Sequence, residues 1–155
     1  SGRGKSTLAA YLAGQAGCSL VSDDILPIES CAGQVRAYAN FPQLKLPTHE
    51  REKQQDGSIP VSGFFLLEES PLLAMIEVEK GMAATTLIHN TVAARAFNQE
   101  LLADHLDFCI QAAMNVPIYR LMYPRAYSVL PEVAEKLKDL MTIDERQPLE
   151  YREEG

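Results

Sequence analysis

The chain opens with Ser1-Gly2-Arg3-Gly4-Lys5-Ser6-Thr7, and this stretch decides the fold that the sequence predicts. Its Gly4-Lys5-Ser6 segment matches the G-K-[ST] end of the phosphate-binding loop motif G-x-x-x-x-G-K-[ST]. In such a loop, small residues let consecutive backbone N–H groups curl round the phosphates of a nucleotide. The helix that follows points its positive N-terminal end at the same anion. The stretch therefore predicts a nucleotide site formed by Gly2, Arg3, Gly4, Lys5, Ser6 and Thr7.

Two residues of the motif carry most of its chemistry. The ammonium of Lys5 is expected on the outer phosphates, and the hydroxyl of Ser6 on the Mg²⁺ that bridges them. The first glycine of the motif would precede the first residue of the chain, which begins three residues before Gly4. We therefore expect the chain to be part of a longer protein and to begin inside its nucleotide site. The alternative is a glycine-rich helix N-terminus without a ligand.

Composition and charge are typical of a globular protein and argue against two classes of partner. The 155 residues are enough for one domain with a hydrophobic core, and 46% of them are hydrophobic. The net charge of −7 argues against general binding to nucleic acid or to an anionic membrane, since both need basic patches. The cysteines are widely spaced and form no C-x-x-C pair, so we expect free thiols and a cytoplasmic protein. The oligomeric state stays open, a homo-oligomer included.

A helix, a strand and a pair of carboxylates follow the loop in that order. Apolar residues at helical spacing predict a helix over 6–15, and the apolar run 18–21 predicts a short buried strand. Asp23 and Asp24 then lie at the carboxyl end of that strand, where open α/β sheets bind ligands. A nucleotide kinase needs a carboxylate for Mg²⁺ and can use a second one to accept the proton of the attacking hydroxyl. The alternative for the acidic pair is a helix cap or a polar turn.

Gly4-Lys5-Ser6, the short helix and the segment Leu20-Val21-Ser22-Asp23-Asp24 together resemble the catalytic domain of the HPr serine kinase family. The match is close over residues 1–29 and looser over 42–46 and 116–121. That family has the phosphoenolpyruvate carboxykinase-like nucleotide-binding fold, so the resemblance implies this fold and the binding of ATP.

The resemblance also implies roles for four residues. It puts Lys5 on the phosphates, Ser6 and Asp24 on Mg²⁺, and Asp23 in the role of the base that activates the acceptor hydroxyl. Two departures leave the acceptor open. Cys18 stands where the family usually has a histidine, and we do not find the glycine-rich second signature that helps form the family's protein-substrate face.

The whole chain predicts an α/β nucleotide-binding domain over 1–141, with a mixed sheet and flanking helices. We expect short strands and turns over 25–46, strands over 64–67, 72–78 and 116–122, helices over 91–99, 100–114 and from Pro131, and a disordered tail over 142–155. An apolar face of the helix over 100–114 is predicted from Leu101, Leu102, His105, Leu106, Cys109 and Ala113. His105 on that face is expected to be packed and hydrogen-bonded rather than catalytic. Candidate contacts to phosphates or acceptor are Arg36, Lys45, Arg120 and Arg125.

The function expected from these residues is that of an ATP- and Mg²⁺-dependent kinase. It would transfer the γ-phosphoryl group of ATP to a hydroxyl of a protein, peptide or small-molecule acceptor. One alternative is a small-molecule or peptide-tailoring kinase of a biosynthetic cluster. Another is a non-catalytic ATP-binding sensor that switches the conformation of a partner. A structural domain with a chance loop would bind no nucleotide.

Overall fold

The computed structural model describes residues 4–22, 25–31, 33–38, 58–91 and 99–144, which form four α-helices, a short 3-10 helix (Tyr127–Val129) and two small sheets. The helices are α1 (Lys5–Ala13), α2 (Lys80–Asn90), α3 (Gln99–Asn115) and α4 (Leu130–Asp144). The strands are β1 (Ile28–Cys31), β2 (Gln34–Tyr38), β3 (Ser58–Pro60), β4 (Phe64–Glu69), β5 (Ala74–Glu77) and β6 (Ile118–Tyr123). None of these helices is long and apolar enough to cross a membrane.

β1, β2 and β3 form an antiparallel sheet in that order. Cys31 of β1 pairs with Gln34 of β2. Gly33, directly before Gln34, has φ 78°, a left-handed conformation that glycine adopts without strain. Arg36 of β2 donates hydrogen bonds to Oγ and the carbonyl oxygen of Ser58 in β3, at 2.6 and 2.9 Å. The guanidinium considered as a phosphate contact therefore ties two strands together.

The second sheet is mixed and has the order β4–β6–β5. β4 runs parallel to β6, with Phe64 opposite Ile118 and Glu69 opposite Tyr123, whereas β5 runs antiparallel to β6. Because β4 and β6 are parallel, their carboxyl ends meet at one end of the sheet. We call this end, which carries Glu69 and Tyr123, the carboxyl edge. The prediction of an α/β fold with a mixed sheet is confirmed in general, but the described strands divide between two sheets.

Side chains of β6 alternate between two hydrophobic layers. Leu121 and Tyr123 join a cluster of buried residues from α1 and α4, namely Leu8, Leu130, Val133 and Leu137. Ile118 joins a second cluster formed with α2, α3 and β2, whose other buried members are Val35, Ala83, Leu87, Cys109, Ala112 and Val116. Helices thus cover both faces of the second sheet, which explains why its two parallel strands are largely apolar.

The buried strand predicted over 18–21 is wrong, since residues 18–22 form no strand. Ser19 is exposed, and Leu20 and Val21 are only half-buried. A short apolar run has little preference of its own for extended structure and becomes a strand only beside a partner that can pair with it. None of the described strands pairs with this run.

Most of the other predicted elements are confirmed. The structure has short strands within 25–46, strands at 64–67, 72–78 and 116–122 with small shifts of their ends, and helices at 6–15, at 100–114 and from the region of Pro131. The tail predicted from 142 is corrected, because α4 continues to Asp144; residues 145–155 lie outside the described residues. α2 forms where no element was predicted, and most of the helix predicted over 91–99 lies outside the described residues.

α3 turns only part of its predicted apolar face to the core. Cys109 and Ala112 are fully buried, whereas Leu102 and Leu106 are exposed. The helix is apolar around most of its circumference, so periodicity alone could not select the buried side. His105 has the packed role that was predicted for it: its Nε2 lies 2.8 Å from the hydroxyl oxygen of Thr91.

Candidate functional site

The N-terminus of α1 presents backbone donors that have no partner in the helix. Gly4 caps the helix in a left-handed conformation (φ 80°, ψ 6°), and its carbonyl oxygen accepts a hydrogen bond from Leu8 N–H at 3.0 Å. The N–H groups of Lys5, Ser6 and Thr7 precede this first helical hydrogen bond. Gly4 has no side chain that could cap them, and the first turn contains no acidic residue. This end of the helix therefore carries the partial positive charge that attracts an anion.

The side chains of the loop are accessible to a ligand. Lys5, Ser6 and Thr7 are all exposed, whereas Leu8, directly after them, is buried. The ammonium and the two hydroxyls of the motif thus lie at the surface. The apolar side of α1 packs against the core. The exposed side chains of Lys5, Ser6 and Thr7 therefore belong to a helix whose position is fixed.

The carboxyl edge lies next to this helix end. Leu8 packs in the same cluster as Leu121 and Tyr123. A methyl group built on Gly4 would lie 3.4 Å from the hydroxyl oxygen of Tyr123. The N-terminus of α1 is therefore adjacent to the ends of two parallel strands, which is where open α/β sheets generally bind their ligands.

Arg125 and Glu69 form an ion pair close to the same edge. Arg125 Nε lies 2.9 Å from Glu69 Oε2, and the two side chains are 53% and 60% exposed. A pair this exposed adds little to stability because water screens it. Burial raises the pKa of Tyr123, and the positive charge of Arg125 lowers it in part, so the guanidinium lies near that hydroxyl. Within the described residues, the guanidinium of Arg125 is thus held only by an exposed carboxylate and is open to solvent.

Arg120 lies on the other face of the sheet. Its guanidinium donates two hydrogen bonds to the Glu68 carboxylate, from Nε at 2.9 Å and from Nη2 at 2.6 Å. The hydrogen bonds to Glu68, together with its negative charge, raise the pKa of Arg120. Because successive side chains of a strand alternate, Arg120 points away from the face that holds Leu121 and Tyr123. The two arginines considered together in the sequence are thus separated, and only Arg125 is near the loop.

Several predicted site residues lie outside the described residues: Gly2, Arg3, Asp23, Asp24 and Lys45. The residues that flank the acidic pair contact each other: Ser22 Oγ donates a hydrogen bond to the carbonyl oxygen of Ile25 at 2.6 Å. The roles assigned to the two aspartates from the sequence stay predictions.

The chemistry of the predicted magnesium ligands fits the ion. Ser6 carries an exposed hydroxyl at the start of α1, and Asp24 would add a carboxylate. Mg²⁺ prefers oxygen ligands and is commonly held by one or two protein groups plus the phosphates of a substrate. Within the described part of the chain, no group of three or more His, Cys, Asp or Glu residues could hold a metal. A site shared with a nucleotide is therefore the kind of magnesium site that these residues would support.

Tyr123 is the residue at this site that the sequence analysis missed. The strand predicted from the sequence covers 116–122 and ends one residue before Tyr123. In the structure Tyr123 is the last residue of β6, and only 6% of it is exposed. The signal that could have identified it is the period of two in a strand, since Tyr123 shares a face with the apolar Leu121.

Comparisons of this chain with known proteins find no match. No family model matches the chain, and neither a curated protein nor a solved structure matches it. The resemblance to the HPr serine kinase family therefore stays a prediction from the residues that carry it. The α/β class rests on the helices and strands described above.

Proposed function

We propose that this protein is an ATP- and Mg²⁺-dependent phosphotransferase, similar to HPr serine kinases, that transfers the γ-phosphoryl group of ATP to a hydroxyl. One observation carries the proposal: the helix that begins after Gly4 with Lys5-Ser6 has its N-terminus beside the carboxyl edge of a parallel strand pair. A short motif can arise by chance, and a helix N-terminus attracts many anions. Their coincidence at the carboxyl edge of an α/β sheet supports a nucleotide site.

Each residue of the loop has a task in this proposal. The backbone N–H groups of Lys5, Ser6 and Thr7 donate hydrogen bonds to phosphate oxygens, and the Lys5 ammonium neutralises the outer phosphates. The Ser6 hydroxyl and the Asp24 carboxylate hold Mg²⁺, which, when bound, neutralises charge on the transferred phosphoryl group. Catalysis then consists mostly of positioning and charge neutralisation.

Asp23 is the proposed general base. Its carboxylate accepts the proton of the acceptor hydroxyl as that oxygen forms a bond to the γ-phosphorus. The bond between the γ-phosphorus and the bridging oxygen breaks in the same step, and ADP leaves with the electron pair. The products are the phosphorylated acceptor, ADP and the proton taken up by Asp23.

Changing Asp23 to asparagine should lower phosphoryl transfer by about 10²–10⁴-fold, the usual contribution of a general base, while ATP·Mg²⁺ binding changes little. The amide keeps the size of the carboxylate but does not accept the proton. Transfer is measured with γ-labelled ATP and three acceptors: HPr, serine peptides and small hydroxylated molecules. Binding is measured by calorimetry. Asp104→Asn, at an exposed position of α3, is the matched control and should change neither quantity.

The same experiment separates the alternatives. If the Asp23→Asn variant still switches a partner upon ATP binding, and no acceptor is phosphorylated by the wild type, the protein is a sensor. If only small molecules or peptides are phosphorylated, and HPr is not, the enzyme is a tailoring kinase. Equal transfer rates for the variant and the wild type would show that Asp23 is not the base.

Replacing Gly4 with alanine should weaken ATP·Mg²⁺ binding by about ten-fold or more, as expected when hydrogen bonds to a charged group are displaced. Alanine strains the left-handed backbone at φ 80°, and its methyl group would lie 3.4 Å from the Tyr123 hydroxyl oxygen, at the proposed phosphate site. Gly17→Ala is the matched control, because Gly17 also has φ 80° but has no atom within 4 Å of the added methyl. Both variants should lose about 1–2 kcal/mol of unfolding free energy, the cost of left-handed backbone in an L-residue. Equal nucleotide affinity in both variants would contradict the loop assignment.

We also propose that the protein acts in the cytoplasm. The three cysteines, Cys18, Cys31 and Cys109, are all free thiols. Free thiols are typical of a reducing compartment. Labelling of the native protein in cell extract with a thiol reagent tests this, since Cys31 is exposed and should react. A Cys31 that is oxidised in the cell would contradict the assignment.

A further inference from the structure

Tyr123 combines a buried ring with a hydroxyl at the proposed phosphate site. The residue is only 6% exposed, and its side chain belongs to the cluster that also contains Leu8, Leu121, Leu130 and Val133. The aromatic ring is therefore held between α1, α4 and the second sheet. Because the hydroxyl oxygen is bonded directly to the rigid ring, the packing of the ring also fixes the position of this oxygen.

The hydroxyl is directed at the start of α1. A methyl group built on Gly4 would lie 3.4 Å from its oxygen. No other described residue forms a hydrogen bond with this hydroxyl. Within the described part of the chain, no buried side-chain oxygen or nitrogen lacks a partner. The oxygen of this unpaired hydroxyl must consequently reach the surface, although the ring behind it is buried.

The backbone groups that α1 presents near this point are donors. The N–H groups at the first turn of α1 have no acceptor in the helix. Burial raises the pKa of Tyr123, and Arg125 lowers it in part, so the hydroxyl keeps its proton at neutral pH. Backbone N–H groups and a protonated phenol at the same end of α1 favour a ligand with several acceptor oxygens. A phosphate group has that chemistry, and a cation does not.

We propose that the Tyr123 hydroxyl donates a hydrogen bond to the phosphate chain of the nucleotide that binds at the N-terminus of α1. This inference rests on the proposed nucleotide site and adds a contact that the sequence motif does not contain. A residue of β6 thereby contacts the phosphate directly. The ring of the same residue packs in the hydrophobic cluster beside the sheet. A side chain at position 4 would lie next to this hydroxyl, because a methyl group built on Gly4 is 3.4 Å from its oxygen.

Tyr123→Phe tests the contact because it removes the hydroxyl and keeps the ring. The dissociation constant of ATP·Mg²⁺ should rise by about ten-fold or more, the effect of losing a hydrogen bond to a charged group. Inorganic tripolyphosphate with Mg²⁺ should show the same factor, since the contact is made to phosphate. The melting temperature should not change. Tyr127→Phe is the matched control, because Tyr127 lies close by in the chain and is 79% exposed.

The outcomes separate this inference from the proposed function. If the wild type binds ATP·Mg²⁺ and Tyr123→Phe binds it equally well, the contact does not exist and the nucleotide site stands. If the wild type binds neither ATP·Mg²⁺ nor tripolyphosphate, the proposed function itself fails. If Tyr123→Phe also lowers the melting temperature, Leu130→Ala decides, since it loosens the same cluster and keeps the hydroxyl. Equal losses of tripolyphosphate affinity in these two variants would overturn the inference, and a loss confined to Tyr123→Phe would support it.

Discussion

Replacing Lys5 with alanine should lower the rate of phosphoryl transfer by about 10²–10³-fold, the cost of removing one preorganised donor from a transition state. Lys5 is the first residue of α1 and is exposed, so its ammonium is available to a bound nucleotide. Charge builds up on the transferred phosphoryl group, and the Lys5 ammonium is the positive group that the motif supplies to neutralise it. The rate is measured with γ-labelled ATP under saturating acceptor.

Lys80→Ala is the matched control for this variant. Lys80 is the first residue of α2 and is also exposed, so the two lysines occupy the same position in two helices. Loss of charge at a helix start is therefore common to both variants. Only the change at Lys5 should affect the reaction, and a similar rate for both variants would refute the assignment of the loop.

Replacing Leu121 with alanine should lower the free energy of unfolding by about 2–5 kcal/mol, the range found for leucine-to-alanine changes in protein cores. Leu121 is 0% exposed and lies on the central strand of the second sheet. It packs in one cluster with Leu8 of α1 and Val133 of α4. The substitution leaves a cavity where these three elements meet. Urea unfolding followed by circular dichroism measures the change.

Leu72→Ala provides the comparison, because Leu72 is 74% exposed. A surface substitution of this kind should change the free energy of unfolding by no more than about 0.5 kcal/mol. If both leucines gave equally small losses, the packing of α1 and α4 on the second sheet would be wrong. The position of the loop at the carboxyl edge would then lose its support as well.

Segments with a strong local pattern could be predicted from the sequence. The glycine-rich start and the apolar spacing after it predict α1, and the long apolar runs predict β4 and β6. Both faces of these strands pack against hydrophobic clusters, so apolar residues follow one another along each strand instead of alternating with polar ones. α4 has Pro131 in its first turn, a position that proline favours, and a clear apolar stripe.

Elements whose character depends on distant partners could not be predicted. The run 18–21 is apolar enough for a strand, but none of the described strands pairs with it. α2 buries only Ala83 and Leu87, and it contains Gly81 and two threonines, so its local pattern is weak. The buried side of α3 was ambiguous because the helix is apolar around most of its circumference.

Some residues of the candidate site could likewise be predicted from a local pattern, and others could not. Gly4, Lys5 and Ser6 were identified from the motif, since the chemistry of phosphate binding demands these residue types in this order. Tyr123 reaches the loop only because β6 ends beside α1, more than a hundred residues later in the chain. No local pattern reveals such a pairing. The same holds for Arg120 and Arg125, which look alike in the sequence and lie on different faces of the structure.

The most direct test of the nucleotide site is calorimetry of ATP·Mg²⁺ with the full-length protein, its Lys5→Ala variant and the Lys80→Ala control. We expect the wild type and the control to bind the nucleotide with equal affinity. Binding to Lys5→Ala should be weaker by about ten-fold or more, since a charge-assisted contact to the phosphates is lost. Absence of binding to the wild type, or equal binding by all three proteins, would contradict a phosphate site at the start of α1.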